Sequence, residues 1–134
     1  MFGVVIATHG EFGKELLATL QMILGGSEGV QAIALTSSDS QESFRLKLEE
    51  ALEKVDSKHQ GALVLVDMIG GTPFNVALMT AQSRPLQIVT GVNLPMLITV
   101  VTGQDDSNLE VLALNTQKVV RESILTSVEL LRKK

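Results

Sequence analysis

Short apolar runs alternate along the chain with stretches in which apolar residues recur at helical spacing. Four runs, at residues 4–8, 30–35, 62–66 and 86–90, are rich in valine, isoleucine and leucine and contain few polar residues. Continuous runs of this length are typical of strands that other elements cover on both faces. The pattern therefore predicts four buried parallel strands.

A helical pattern follows each predicted strand. After the first strand, apolar residues recur at helical spacing up to Gly25, and glycine is typical of the residue that follows a helix. After the second, residues 39–42 have the spacing of a capping box and begin an amphipathic helix. We expect Thr72 to cap a third helix, with Pro73 at its first helical position. The last stretch, residues 123–128, fits either a helix or a short edge strand.

Four strand–helix units with short connections predict an α/β fold, in which a parallel sheet has helices on both faces. The commonest winding of so small a sheet is 2-1-3-4, with the first strand between the second and the third. We expect one domain over residues 1–134, because a chain of this length buries one sizeable core and shows neither a repeat nor a linker. In this winding a crevice opens at the carboxyl ends of strands one and three.

His9 and Asp67 follow those two strands, so the winding places an imidazole and a carboxylate at the same crevice. A carboxylate that accepts from Nδ1–H leaves the Nε2 lone pair free and stabilises the positive charge that develops when Nε2 attacks an electrophile. A lone histidine at a strand end more often has no catalytic role. Gly10 and Gly13 argue for function, since they allow a tight turn toward a helix N-terminus, which favours an anion such as a phosphoryl group.

The segment after Asp67 is a glycine-rich turn that runs into another helix. Gly70 and Gly71 allow close approach of the backbone, and the Thr72 hydroxyl and nearby N–H groups are candidates to hold phosphate oxygens. A plain turn in which Asp67 only caps the helix is the alternative. Neither loop carries Lys or Arg, and the glycine patterns of P-loop and dinucleotide sites are absent. Weak binding of phosphate suits a carrier, because holding the intermediate tightly would slow the next transfer.

Composition excludes several classes of function. The net charge is −4 and the basic residues are scattered, so nucleic acid is not an expected partner. The absence of cysteine excludes thiol nucleophiles and fits a reducing compartment. His59 is expected in an exposed loop, and Asp105 and Asp106 in a helix-capping loop, so we expect neither a metal nor a cofactor. No signal peptide or membrane-spanning run is evident, which favours the cytoplasm.

Three strings of residues together resemble one known family. They are residues 7–10 (ATHG), 67–75 (DMIGGTPFN) and 91–97 (GVNLPML). In this order they are similar to the mannose-type (mannose, fructose, sorbose) IIA domains of the bacterial sugar phosphotransferase system, over essentially the whole chain. The resemblance implies a phosphotransferase component in which His9 is phosphorylated at Nε2 by the carrier HPr. His9 then donates to a IIB protein, which phosphorylates sugar during uptake through the membrane IIC/IID permease.

The resemblance also implies roles for the residues around His9. Asp67 is the expected Nδ1 partner, and Thr72 lines the phosphate with backbone N–H groups around Gly10 and Gly71. It implies a homodimer that exchanges a C-terminal antiparallel strand, for which residues 123–128 are the candidate. No linker and fused IIB domain follow in the sequence, so we expect IIB as a separate polypeptide.

An apolar rim around the crevice is expected to bind HPr, since the carrier must bring one imidazole in line with another. The candidates are Phe12, Met68, Ile69 and Phe74. Each would fit a core equally well, and for Phe74 a place in the core is the stronger expectation. The loop after the fourth strand is expected to wall the crevice, with Asn93 able to donate or accept there, although a plain turn explains it equally well.

Other functions stay open at this point. A related branch donates phosphoryl groups to a dihydroxyacetone kinase, but its loop is similar to Met-Gly-Ser-Ala, whereas residues 69–72 of this chain are IGGT. A non-catalytic regulatory module that senses phosphorylation would share every site residue. A small hydrolase ranks lowest, because no nucleophile, metal or cationic clamp is evident near the crevice. The sugar is not predictable, since selectivity would lie in the membrane partner.

Overall fold

Four strands form one parallel sheet in the computed structural model, which describes residues 1–55, 60–104 and 108–132. The strands are β1 (Gly3–His9), β2 (Val30–Leu35), β3 (Ala62–Val66) and β4 (Leu86–Thr90). Their order is β2-β1-β3-β4, and all three pairings are parallel. The predicted fold class and winding are confirmed. The continuous apolar runs were sufficient to indicate strands that helices cover on both faces.

Helices follow the strands in the predicted alternation. They are α1 (Phe12–Leu24), α2 (Gln41–Val55), α3 (Thr72–Thr80), α4 (Leu94–Thr102), α5 (Leu109–Ser123) and α6 (Ser127–Arg132). The ambiguous stretch at residues 123–128 is therefore the end of α5, a short connection and the start of α6 in this single chain. Pairing of this stretch as a strand with a second copy stays a prediction.

The alternation of side chains in the strands separates the core into two layers. Val4 and Ile6 of β1 pack with buried residues of α1, α4 and α5. Val5 and Ala7 pack on the other face with buried residues of α2 and α3. Because successive residues of a strand point to opposite faces, Thr8 continues the row toward α1, and His9 continues the row toward α3.

Two predicted helix starts need correction. The capping box of α2 lies one residue later than predicted, since the Ser43 N–H donates to Ser40 Oγ and the Ser40 N–H donates to Ser43 Oγ. Thr72 does not cap α3: it is the first helical residue, and the N-cap is Gly71, which has no side chain to offer. Proline is tolerated at the second helical position because the N–H there has no acceptor within the helix, so α3 begins before Pro73.

Two expectations concern residues outside the described ranges, namely the loop positions of His59 and of Asp105 with Asp106. Within the described ranges, no helix combines the length and the apolar character that crossing a membrane requires.

Candidate functional site

The site lies where β1 and β3 leave the sheet. The register pairs Ala7 with Val66, so Asp67 follows this pair by one residue on β3 and His9 follows it by two residues on β1. The structure brings the two side chains together, with 2.8 Å between His9 Nδ1 and Asp67 Oδ2. The imidazole is 47% exposed and the carboxylate 15% exposed, so a partly buried anchor carries an accessible ring.

Asp67 holds His9 by both its backbone and its ring. Oδ2 accepts the His9 N–H at 2.9 Å as well as the ring contact, and Oδ1 accepts the Met68 N–H at 3.0 Å. Because an ionised carboxylate only accepts, Nδ1 carries the ring proton and Nε2 carries the lone pair. The imidazole is therefore held in the tautomer whose Nε2 can act as a nucleophile.

Gly71 packs directly against the reactive side of this ring. A Cβ atom at Gly71 would lie 2.7 Å from His9 Cε1 and 3.3 Å from Nε2, closer than carbon atoms pack. The backbone of Gly71 is extended, with φ −86°, a conformation that any residue can adopt. A glycine is therefore needed at this position for the space that a side chain would fill. The neighbouring Gly70, with φ +86°, supplies the turn. The loop thus needs Gly70 for its positive φ and Gly71 for the space that the imidazole occupies.

The helices that begin beside His9 have no N-cap side chain bonded to their first N–H groups. The N-cap residues of α1 and α3, Glu11 and Gly71, form no side-chain cap. Within the described chain, the half-buried Thr72 hydroxyl forms no hydrogen bond. The Gly10 N–H already donates to Leu35 O at 2.8 Å, so Gly10 contributes a turn with φ +58° and its own N–H is engaged. Phosphate binding by Gly10, Gly71 and Thr72 stays a prediction, carried most directly by Thr72.

The residues predicted to bind a partner are distributed around this site. The residues Phe12, Met68 and Ile69 are 49%, 55% and 69% exposed, while Phe74 packs partly against the α2–α3 core. Asn93 caps α4 by accepting the Met96 N–H at 2.9 Å. Its oxygen therefore has a structural role, and binding of a partner by any of these residues stays a prediction.

Sequence reasoning missed Thr8. Its side chain is fully buried, and Oγ1 accepts the Gly13 N–H at 2.8 Å in the first turn of α1. The signal was present as a hydroxyl residue at the end of a strand, in the row of side chains that faces the next helix.

The chemistry available at the site is that of an imidazole nucleophile beside helix N-termini. Among the described residues, no three His, Cys, Asp or Glu side chains lie together as a metal site would need. What remains is a ring nitrogen with a free lone pair, a carboxylate that stabilises positive charge on the ring, and N–H and O–H donors suited to an anion.

An anchored imidazole at the carboxyl edge of a four-stranded parallel sheet thus defines a histidine–carboxylate site on an α/β domain. A family model described as "PTS system fructose IIA component" matches residues 3–117. The chain belongs to this family of phosphotransferase-system IIA components. The resemblance inferred from the three sequence strings is confirmed.

Two curated relatives illustrate the range of the family. The chain is 36% identical over 104 residues to the mannose-specific EIIAB component of Escherichia coli strain K12, which covers 77% of the chain and 32% of that relative. It thus spans about a third of that longer protein. It is 30% identical over 134 residues to the fructose-specific EIIA component of Bacillus subtilis strain 168, which covers 99% of the chain and 91% of that relative.

Solved structures show the same fold. A phosphotransferase system component EIIA from Streptococcus agalactiae superposes with a TM-score of 0.86 at 26% identity, covering 96% of this chain and 99% of that one. A mannose/sorbose-specific IIA subunit from Enterococcus faecalis superposes with a TM-score of 0.84 at 30% identity, covering 93% of each chain.

Proposed function

We propose that the protein is a phosphoryl carrier of the sugar phosphotransferase system. His9 receives phosphate from phospho-HPr and passes it to a IIB protein, which phosphorylates sugar taken up through the IIC/IID permease. The observation that carries the proposal is the 2.8 Å bond from His9 Nδ1 to Asp67, which leaves Nε2 accessible. Membership of the IIA family supports it. We place this single domain in the cytoplasm, where such carriers meet the inner face of the permease.

In the first transfer, the Nε2 lone pair forms the new N–P bond while the N–P bond of the donor phosphohistidine breaks. The bonding pair returns to the donor imidazole, and the His9 ring becomes cationic because Nδ1 keeps its proton. Asp67 Oδ2, 2.8 Å away, stabilises that positive charge. The second transfer reverses these events toward the IIB acceptor, and His9 returns to its neutral tautomer.

The phosphoryl group is held by neutral donors. The first hydrogen bond of α3 runs from the Asn75 N–H to Gly71 O, so the N–H groups of Thr72 and Phe74 face the N-terminal end of the helix without helical acceptors. Together with the Thr72 hydroxyl they suit phosphate oxygens. Because residues 9–13 and 67–75 include no Lys or Arg, the phosphoryl group is bound weakly enough to leave again.

HPr and IIB dock on the exposed rim formed by Phe12, Met68 and Ile69. The three side chains are apolar and accessible on the loops and helix start that frame His9. Both partners have to place a reacting atom in line with phosphorus on the same nitrogen. An apolar rim lets each approach His9 closely without a charged group that would bind the phosphate.

The protein acts as a homodimer joined at the outer edge of β4. In the described chain β4 is an edge strand, beside a groove of about 570 Å³ lined by residues of β4 and α5, including Ile88, Ala113 and Val120. The C-terminal segment exposes Ile124 and Leu131, which would be covered if this segment paired with β4 of a second copy.

The sugar-uptake function is favoured over the two alternatives. The relatives and structures described above are named EIIA or EIIAB components or IIA subunits, and none of these is named as a subunit of a kinase. A regulatory module that senses phosphorylation would share these site residues, and none of the relatives and structures described above is named as a regulatory protein.

Phosphorylation with purified partners tests the proposal. The protein is incubated with phosphoenolpyruvate, enzyme I and HPr, and acid-labile phosphate is located by mass analysis of peptides. We expect label on His9, none in His9→Ala, and unchanged label in the matched control His59→Ala, which removes the other histidine of the chain. Asp67→Asn is expected to slow labelling. Label that persists at full rate in His9→Ala would contradict the proposal.

A further inference from the structure

We infer that Thr8 is a positioning residue for His9: it fixes the α1 side of the turn that carries the imidazole. The inference rests on the proposed phosphoryl transfer. Thr8 is fully buried and forms its hydrogen bonds with the backbone of Gly10 and Gly13, with none to the side chain of His9 or Asp67. Its effect on the chemistry therefore passes through the backbone.

The Thr8 hydroxyl replaces the missing cap of α1. Glu11, the N-cap residue, has φ −86° and ψ 4°, and its side chain caps no N–H. Thr8 Oγ1 instead accepts the Gly13 N–H at 2.8 Å, while its own proton points to Gly10 O at 3.5 Å. This buried N–H would lose its acceptor with the hydroxyl, and a buried unsatisfied donor is costly.

The contact between Thr8 and the start of α1 leaves no free space. A Cβ atom at Gly13 would lie 3.1 Å from Thr8 Oγ1, 3.2 Å from Thr8 Cγ2 and 2.9 Å from Ile6 Cγ2. The first turn of α1 therefore rests directly on the Thr8 side chain. A group of different size or polarity at residue 8 displaces that turn.

His9 lies between this contact and two other fixed points. Its N–H is held by Asp67 Oδ2 at 2.9 Å, and the next N–H, that of Gly10, is held by Leu35 O at 2.8 Å. Residues 9–12 then enter α1 with Gly10 at φ +58°. When Thr8 releases the α1 end, the turn relaxes and Nε2 moves relative to Asp67 and Gly71. A displacement of about 1 Å lowers the rate of an in-line transfer by about 100-fold.

The test compares Thr8→Val, which removes the hydroxyl at nearly constant volume, with Thr8→Ser, which keeps it. Thr80→Val is the matched control, since Thr80 is also buried and its hydroxyl donates only to Val76 O within α3, at 2.9 Å. Phosphorylation by phospho-HPr gives kcat and KM. We expect kcat to fall at least about tenfold in Thr8→Val with KM nearly unchanged, and both constants to stay within about twofold in Thr8→Ser and Thr80→Val.

A second measurement does not depend on phosphoryl transfer. Nitrogen NMR of the His9 ring reports its tautomer and its surroundings, and we expect the ring signals to change in Thr8→Val but not in Thr80→Val. Unlabelled wild-type protein would contradict the proposed function, and the NMR comparison would still decide the role of Thr8. If Thr8→Val matches Thr80→Val in kcat and in the ring signals, the inference is wrong. Should Thr8→Val not fold, Thr8→Ala replaces it with the same expectations.

Discussion

The N-termini of α1 and α3 differ from those of α4 and α5 in how their first N–H groups are satisfied. Asn93 and Asn108 cap α4 and α5, accepting N–H groups at 2.9 and 3.0 Å. Glu11 and Gly71, the corresponding residues of α1 and α3, offer no side-chain cap. These two termini flank His9, and they differ from each other, since Thr8 Oγ1 accepts the Gly13 N–H of α1 while α3 has no side-chain cap. Capping by asparagine stabilises a helix, whereas an uncapped terminus keeps its donors for an anion.

The difference indicates that the two kinds of helix N-terminus have different roles, one in stabilising the helix and the other in binding an anion. At α4, which also begins at the carboxyl edge of the sheet, the Asn93 side chain occupies the place an anion would take. At α3 the N-cap is a glycine, and the neighbouring Thr72 hydroxyl has no partner in the part of the chain that the structure describes. At α3 the site gives up capping energy of about 1 kcal/mol to keep a place for phosphate, whereas at α1 the Thr8 hydroxyl accepts the Gly13 N–H in place of an N-cap side chain.

The largest effect is expected when a side chain is added at the uncapped start of α3. Gly71→Ala places a methyl group 2.7 Å from His9 Cε1, which forces the ring or the loop to move. We expect phosphorylation by phospho-HPr to slow by about 100-fold. Gly26→Ala is the control, because a Cβ atom there meets nothing within 4 Å. Equal rates in the two variants would show that the ring does not need this space.

A smaller effect is expected when the free hydroxyl is removed from the same terminus. Thr72→Val should lower the rate of phosphoryl transfer by about tenfold, because one donor to the phosphate is lost. The thermal midpoint should hardly change, since the hydroxyl has no partner in the described chain. Thr99→Val in α4, whose hydroxyl donates to Pro95 O, should leave the rate unchanged. A normal rate in Thr72→Val would remove Thr72 from the phosphate site.

Removing a cap at the other kind of terminus should affect stability alone. Asn93→Ala and Asn108→Ala are each expected to lower the free energy of unfolding by about 1 kcal/mol, measured by urea denaturation. Phosphorylation kinetics should stay normal in Asn108→Ala. A raised KM for HPr in Asn93→Ala alone would establish the partner-binding role predicted for Asn93 and weaken the contrast between the helix starts.

The smallest effect concerns acid stability at the start of α2. The hydrogen bond from Lys47 holds the pKa of Asp39 well below its usual range, helped by the Thr36 N–H and the Ser43 hydroxyl. The carboxylate binds fewer protons in the folded state, so its stabilisation is complete above the ordinary pKa and is lost as the pH falls below about 4. Asp39→Asn should therefore show a shallower loss of stability between about pH 5 and pH 2. An identical pH profile would contradict this role of Asp39.

The fold was predictable because many residues contribute to each signal. β2, β3 and β4 begin and end at the residues that their apolar runs predict, and β1 extends one residue further at each end. The meeting of His9 and Asp67 followed from the strand order alone. Such features average over whole elements, so single residues do not change them.

Details set by one contact were harder to predict. The cap of α2 was placed one residue early, because Asp39-Ser40-Gln41-Glu42 fits a capping box as well as the observed Ser40 and Ser43 pair. The role of Gly71 depends on the position of the His9 ring, which lies far away in sequence. Residues 123–128 were ambiguous because the spacing of their apolar residues suits a helix and a short edge strand equally well.

His9 is bonded to Asp67 through both its backbone N–H and its ring Nδ1, and this restricts the directions from which partners can approach the imidazole. The imidazole cannot rotate from one partner to the other without breaking both bonds. The phosphoryl donor and the phosphoryl acceptor must therefore approach Nε2 from the same direction and bind one after the other. Each in-line displacement inverts the configuration at phosphorus. A chiral, isotopically marked phosphoryl group should therefore pass through two inversions and reach its acceptor with the handedness it had on the donor.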